Sequence, residues 1–550
     1  MDMADGETTK QPAARDWSFL FKLIGALALA GLAQGLFLFE RAGATIGGFA
    51  LLLLGVAALL RPVMWRDRRA RLALAAAAFF ALVLAADPGF LALFLYWIML
   101  TLAALLPRSA GFGDGWRWTL RMIGHGALSP FMPLRDLMIL KRTRRRRGSA
   151  LGRLALALVL PVLGTIIFLA LFAAANPLIE DFLIRFDATL SPETIARLIF
   201  AGFIFLAAWS LLRPPRLPFW GSLKPLFATA EALPGVTAAS VTLSLCAFNL
   251  VFAVQNGLDL AFLWSGAPLP GDLTLAGYAH RGAYPLIATA LLAGLFVLVT
   301  LRPGSDTARS RGIRLLVVLW IAQNLLLVAS TMYRTFDYIE SYSLTELRIA
   351  ALIWMALVAI GLVLICWRLL RNRSAAWLIN PNMLAALLVL AGCTCADLGG
   401  VTATWNVRHA REVGGRGIQL DLCYLRDLGP SALLPLLELE TRPSLPEPFR
   451  NKVVGVRTRM MERLAAAQAD WHGWTLRNAG RLAEARRIVA EHRLSAWGGD
   501  LLDCAPPRPA APPPSNEVIN ATDAAPLNAT IPDENLAVPA TVPLTENEVR

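Results

Sequence analysis

Polar side chains set inside apolar helices are the residues of this chain whose chemistry demands an explanation, because an unpaired polar group in hydrocarbon costs several kcal/mol. Asn249, Phe252, Asn256 and Asp259 recur at helical spacing and share one face, with Gln255 beside them. Trp320, Gln323, Asn324, Thr331 and Arg334 share another, provided the helix continues past Ser330. Both stripes lead towards a further polar group made of His280, Arg281, Tyr284, Asp337, Glu340, Tyr342 and Arg348. Two kinds of chemistry suit such a set. The groups either hydrogen-bond helix to helix and anchor loops, or line a polar site that opens to one membrane face.

Catalytic patterns are missing. The five histidines, His125, His280, His409, His472 and His492, show no HExxH and no pairing with cysteine at metal-ligand spacing. There is no phosphate-cradling glycine loop ending in Lys-Ser/Thr and no GxSxG elbow. The reading is therefore against an enzyme, with no cofactor and no metal implied. Six cysteines without a CxxC are too few for a disulfide scaffold, although Cys423 and Cys504 can pair if their region faces an oxidising compartment. Leu390-Ala391-Gly392-Cys393 spells a lipobox, but its internal position makes chance in an Ala/Leu-rich helix the better account.

The elements that must hold these residues follow from hydropathy. With 56% apolar and 17% charged residues over 550 positions, and a mean hydropathy of +0.54, the chain falls outside the soluble range. About eleven apolar stretches reach or approach bilayer length: 19–39, 43–60, 72–86, 89–106, 154–175, 198–212, 238–254, 284–301, 313–330, 349–367 and 377–392. The net charge of +13 has a topological origin rather than nucleic acid as a partner. With the N-terminus inside, the basic loops 61–71, 108–153, 213–224, 302–314 and 368–373 all fall on the cytoplasmic face. The intervening connections are poor in Lys and Arg, and the region after the last span falls outside, in the periplasm. Trp17, Trp65, Trp209, Trp264, Trp367 and Trp377 stand near span ends, as interfacial anchors do.

The expected fold is all-α, a polytopic helical membrane bundle with a small helical extramembrane domain. Residues 1–18 form a polar tail without the order of a cleaved signal, and 19–396 form the bundle. Within it, 107–153 is a basic amphipathic loop whose run Lys141–Arg147 suits anionic lipid at the headgroup layer. Residues 397–504 show helical periodicity, and 505–550 are rich in Pro and Ala and expected to be disordered. Ser343-Leu344-Thr345-Glu346 has capping-box spacing, which predicts Ser343 as an N-cap.

Three stretches carry a family resemblance. Asn256-Gly257-Leu258-Asp259, then Tyr278-Ala279-His280-Arg281-Gly282-Ala283-Tyr284-Pro285, then Tyr338-Ile339-Glu340-Ser341-Tyr342-Ser343-Leu344-Thr345 with Arg348 resemble the bacterial multi-pass membrane proteins grouped as domain of unknown function 4173, or its relative 4153. The similarity continues to Asp397-Leu398 and Trp405-Asn406-Val407-Arg408 and leaves out the proline-rich tail. Ser343 stands where the family's Tyr-Gly-Leu-Thr has glycine. The resemblance implies a polytopic membrane fold and brings no substrate or catalytic residue. Two functions fit: transport or small-ligand binding through the polar outward-facing site, or an envelope sensor or scaffold that presents its C-terminal domain to a protein partner.

Overall fold

The computed structural model describes residues 17–109, 113, 115–144, 192–215, 237–265, 310–371, 373–415, 417–495 and 504, with isolated helical positions between 161 and 172 and between 289 and 296. Among the described residues all regular structure is helical. Eight of the helices are long and apolar enough to cross a membrane, and a ninth, Thr45–Leu60, is apolar but shorter. The protein is an α-helical membrane bundle. The expected spans at 154–175 and 284–301, the amphipathic run beyond Arg144 and the tail at 505–550 lie outside the described residues.

Helices α1 (Trp17–Phe37), α2 (Thr45–Leu60), α3 (Arg68–Ala86) and α4 (Phe90–Leu105) begin the bundle. Small residues let them approach closely. Ala70, Ala73, Ala77 and Ala81 line the buried face of α3 at helical spacing, and a side chain at Gly47 of α2 would run into the backbone of Ala81 and Ala85. Without a Cβ, Gly47 brings two backbones into contact. The amphipathic stretch folds as α5 (Gly115–Leu128) and α6 (Met132–Arg144). Trp118, His125 and Asp136 turn inward, while Ile123, Phe131 and Met138 remain exposed. Helix α7 (Pro192–Leu212) packs antiparallel on α1, with Gln34 donating to the Arg197 carbonyl at one end and Phe19 edge-on to Trp209 at the other. Trp209 is therefore not an interfacial anchor: it is 2% exposed, and its indole N–H reaches Asp136 at 3.2 Å.

A second sub-bundle holds α8 (Ala238–Leu258), α9 (Arg311–Tyr342) and α10 (Glu346–Leu370), and α11 (Ala375–Cys395) follows. Their starts are written in the sequence. Thr237, Ser310, Thr345 and Ser374 each accept a backbone N–H of the first turn. The N-cap before α10 is Thr345, not Ser343. Ser343 instead ends α9 at φ +68°, ψ 166°, a conformation that favours glycine. Beyond α11 come α12 (Leu398–His409), α13 (Leu422–Asp427), α14 (Leu433–Glu440), α15 (Glu447–Ala469) and α16 (Leu476–Glu491), built around Leu425, Leu433, Leu436, Leu437, Val453 and Ala485.

The connections segregate to two ends. At one end Arg61 donates to the Leu211 carbonyl at 2.8 Å and the Ala104 carbonyl at 3.0 Å, so one guanidinium satisfies the C-terminal carbonyls of α7 and α4. Arg69 reaches the Ser109 carbonyl, Arg108 bonds Pro214, and the Gly115 N–H donates to Asn380. This end carries the arginines of the basic loops. Burial, and next the charge of Arg108, push the Arg61 guanidinium down to about 10. Burial also pushes the His125 imidazole down to about 4, reinforced by Arg61 and Arg108. At the other end lie 38–44, 87–89, 343–345 and 396–397, and there α12–α16 dock within the same compact unit.

Candidate functional site

Two polar regions emerge. The first is the seam between α8 and α9, where Asn249, Phe252, Asn256 and Asp259 of α8 are all buried, as are Trp320, Asn324, Thr331 and Arg334 of α9. The helices run parallel. Asn249 donates to the Leu316 carbonyl at 3.1 Å and accepts from Gln323 at 3.0 Å, and Asn256 donates to the Gln323 carbonyl at 3.1 Å. Further along, α8 opens into a wider turn at Asp259–Trp264. Asp259, 0% exposed, pairs there with Arg334 and accepts from Gln255 at 3.0 Å. Trp264 donates to Ser330 at 3.0 Å and stacks on Tyr333 with centroids 5.3 Å apart.

Hydrogen bonds and packing dominate this seam. Asn324 and Thr331 return their donors to their own helix at Trp320 and Leu327, and Phe248, Phe252 and Phe296 crowd the Trp320 ring. Tyr342 and Arg348 also meet, but at the α9–α10 loop. Arg348 donates to the Tyr342 carbonyl at 2.7 Å and to the Ser343 carbonyl, and lies over the Tyr338 ring at 4.4 Å. Asp337 is half-buried and joins no ion pair among the described residues. His280, Arg281 and Tyr284 lie outside the described residues. Of the predicted site, the structure thus brings together Asn249, Asn256, Asp259, Gln323 and Arg334, and separately Tyr342 with Arg348.

The second region joins the docked helices to the bundle. The Ala44 N–H donates to the Trp474 carbonyl at 2.7 Å, and a side chain at Gly43 would collide with the backbone of His472, Gly473 and Trp474. Arg477 pairs with Asp87 at 2.6 Å and donates to the Cys395 carbonyl at 2.8 Å. Arg481 pairs with Asp397 and reaches Ser431 at 3.1 Å. Burial opposes the charge of Asp397, yet the Gly400 N–H and the Arg481 guanidinium hold its carboxyl below the usual range. The Asn406 amide bonds both backbone groups of Leu344, at 2.7 and 2.9 Å, and the Glu346 N–H donates to the Tyr424 hydroxyl at 3.2 Å. Below, the buried Glu440 and Arg457 form a two-pronged pair at 2.9 Å, and Arg457 also reaches the Ser495 carbonyl.

Between the docked helices and loops 38–44 and 87–89 lies a cleft of about 560 Å³. Its floor is apolar, from Val456, Met460, Leu464 and Ala467 on one face of α15. Four arginines line it, Arg41, Arg426, Arg459 and Arg463, against one carboxylate, Asp87, whose charge is already engaged by Arg477. Arg426 pairs with its neighbour Asp427, whereas Arg41 and Arg463 join no carboxylate among the described residues. The volume falls in the range of small-molecule sites. The sequence reading missed these residues. The one signal was local, Arg459 and Arg463 four apart on the face that carries Met460 and Leu464.

A family model described as domain of unknown function (DUF4153) matches residues 48–439, and the chain belongs to that family. The assignment corrects the expectation of 4173 to its relative. The marker residues of the resemblance acquire roles here: Asp397, Asn406 and Leu344 are all junction contacts, and Ser343 occupies a glycine conformation. Helices α15 and α16, with Arg459 and Arg463, lie beyond the matched residues. No curated protein and no solved structure matches the chain.

Proposed function

We propose that this membrane protein binds a small anionic ligand at the outer face of a bacterial inner membrane, in the cleft beneath its docked C-terminal helices, with the bundle as a rigid anchor. The observation that carries the reading is the cleft itself, with four arginines and an apolar floor around one space. Orientation is supported by the segregation of connections. The end rich in Arg61, Arg66, Arg68, Arg69, Arg71 and Arg108 takes the cytoplasmic side, which puts the cleft outside. The basic docked domain does not oppose this, because long domains translocate regardless of charge. Cys423 and Cys504 are half-cystines while the other four cysteines are free, which suits an oxidising compartment.

Native mass spectrometry of the full chain released gently from its own membranes tests the reading. One retained adduct is expected, lost when Met460→Trp fills the cleft. Absence of an adduct, or its retention by Met460→Trp, contradicts the proposal. A reporter active only under oxidising conditions, fused after residue 495, is expected to be active, and one after Arg371 silent.

A further inference from the structure

The surroundings of the cleft identify the chemistry of its occupant. Guanidinium groups present planar forks that match phosphate and carboxylate oxygens. Several of them converging on one space fit a group with several charged oxygens better than a single carboxylate. The floor of Val456, Met460, Leu464 and Ala467, walled by Pro88 and Pro430, fits an apolar body attached to that anion. Position adds a third element. Gly473 and Thr475 line the cleft, and beside them Trp471 is 61% exposed, Trp474 40% and Leu476 61%. Across from them, next to Arg41, Phe39 is also exposed. The Trp474 carbonyl holds the Ala44 N–H and Arg477 holds Asp87, so this segment sits beside the loops that follow α1 and α3, and tryptophans at such span ends serve as anchors among headgroups. A cleft walled by arginine and bordered by exposed aromatic residues at headgroup depth opens towards lipid.

Resting on the reading that this cleft is the binding site, we infer that its ligand is the phosphate of an anionic membrane lipid, gripped by Arg41, Arg459 and Arg463 with the proximal lipid body over Met460 and Leu464. A soluble phosphate shares the charge but has no use for the apolar floor or the exposed tryptophans.

The test uses the full chain in nanodiscs of phosphatidylcholine containing phosphatidylglycerol, with bound lipid read by native mass spectrometry. The expected result is selective retention of phosphatidylglycerol over the phosphatidylcholine excess. Affinity should fall about tenfold for each of Arg459→Gln and Arg463→Gln, and remain unchanged in Arg66→Gln at the opposite end. Circular dichroism and thermal unfolding of the variants confirm that the fold is intact. Retention unaltered in the double variant overturns the inference. So does displacement of the lipid by equimolar inorganic phosphate, which assigns the site to a soluble anion. An adduct from native membranes that lacks phosphorus overturns the phosphate assignment while leaving ligand binding in place, whereas no adduct in either preparation overturns ligand binding itself.

Discussion

The α8–α9 seam and the junction with the docked helices are both rich in polar and charged groups, yet they solve opposite problems. In the seam the surrounding solvent is lipid, so Asn249, Gln323, Asn256, Asp259 and Arg334 turn to one another, while the Trp320 indole N–H and one side-chain oxygen each of Asn256, Gln323 and Asn324 are buried without a partner among the described residues. At the junction, water is within reach. There Arg477 and Arg481 serve as clamps on Asp87 and Asp397, and other arginines are left lining a cleft with a single carboxylate among them. Polar groups between α8 and α9 thus join one helix to the next, whereas the arginine-lined cleft at the junction is the binding site proposed here.

The comparison breaks most visibly at Asp259 and Arg334. Removing one partner leaves a buried charge, so Asp259→Asn and Arg334→Met should each cost about 3–5 kcal/mol, seen as reduced abundance and a lower unfolding temperature in detergent. Replacing both, Asp259→Leu with Arg334→Met, should recover part of that loss. The counterpart in the docked helices is Arg457→Met, with a similar cost because Glu440 is then stranded among leucines; hydrogen exchange should locate the damage in α14–α16 and leave α8 and α9 protected.

A pH effect sharpens the picture at the end that carries the basic loops. His125 has a folded pKa of about 4 because burial and two arginines disfavour its charge. As pH falls through about 6.5 the unfolded chain gains a proton that the folded chain refuses. Stability should therefore drop between about pH 6.5 and 4, by up to about 3 kcal/mol from this group, and level off below. His125→Phe should remove that slope in pH-dependent thermal unfolding.

Smaller effects are expected at the loops. Gly43→Val should push Trp474 off the α1–α2 loop at a cost of about 2 kcal/mol, the order of a small-to-large substitution in a packed contact. Its signature is faster exchange at 474–478 with the bundle unchanged. Ser343→Gly should instead stabilise by about 1 kcal/mol, since glycine carries no Cβ penalty at φ +68°. That gain would be measurable as a raised unfolding temperature.

The fold was legible because lipid imposes a long, uniform signal. All nine expected spans that fall on described residues coincide with helices. The polar faces of α8 and α9 were legible from spacing, and they do meet. What misled was reading span ends from hydropathy alone. Helix α9 runs on to Tyr342, carrying Arg334 to its partner Asp259, and Trp209, near a span end, is claimed by Asp136 and Phe19 instead of the interface. The cap at Thr345 was hidden by a second hydroxyl two residues earlier, one that sits where the chain reverses between α9 and α10. Arg61 reads in sequence as one more topological charge, and only the convergence of α4 and α7 makes it a helix cap. The cleft was out of reach for the same reason. Its lining comes from 41–42, 87–88, 426–430 and 456–478, and no local periodicity links a loop of the bundle to a helix almost four hundred residues later.

The contrast between a closed seam and an open cleft can be read directly from a cryo-electron microscopy map of the protein in nanodiscs of native lipid. Density for a bound molecule between Arg41, Arg459 and Arg463, with α8 and α9 in uninterrupted contact from Asn249 to Arg334, is the predicted result. An empty cleft with a bound molecule between α8 and α9 would contradict the account.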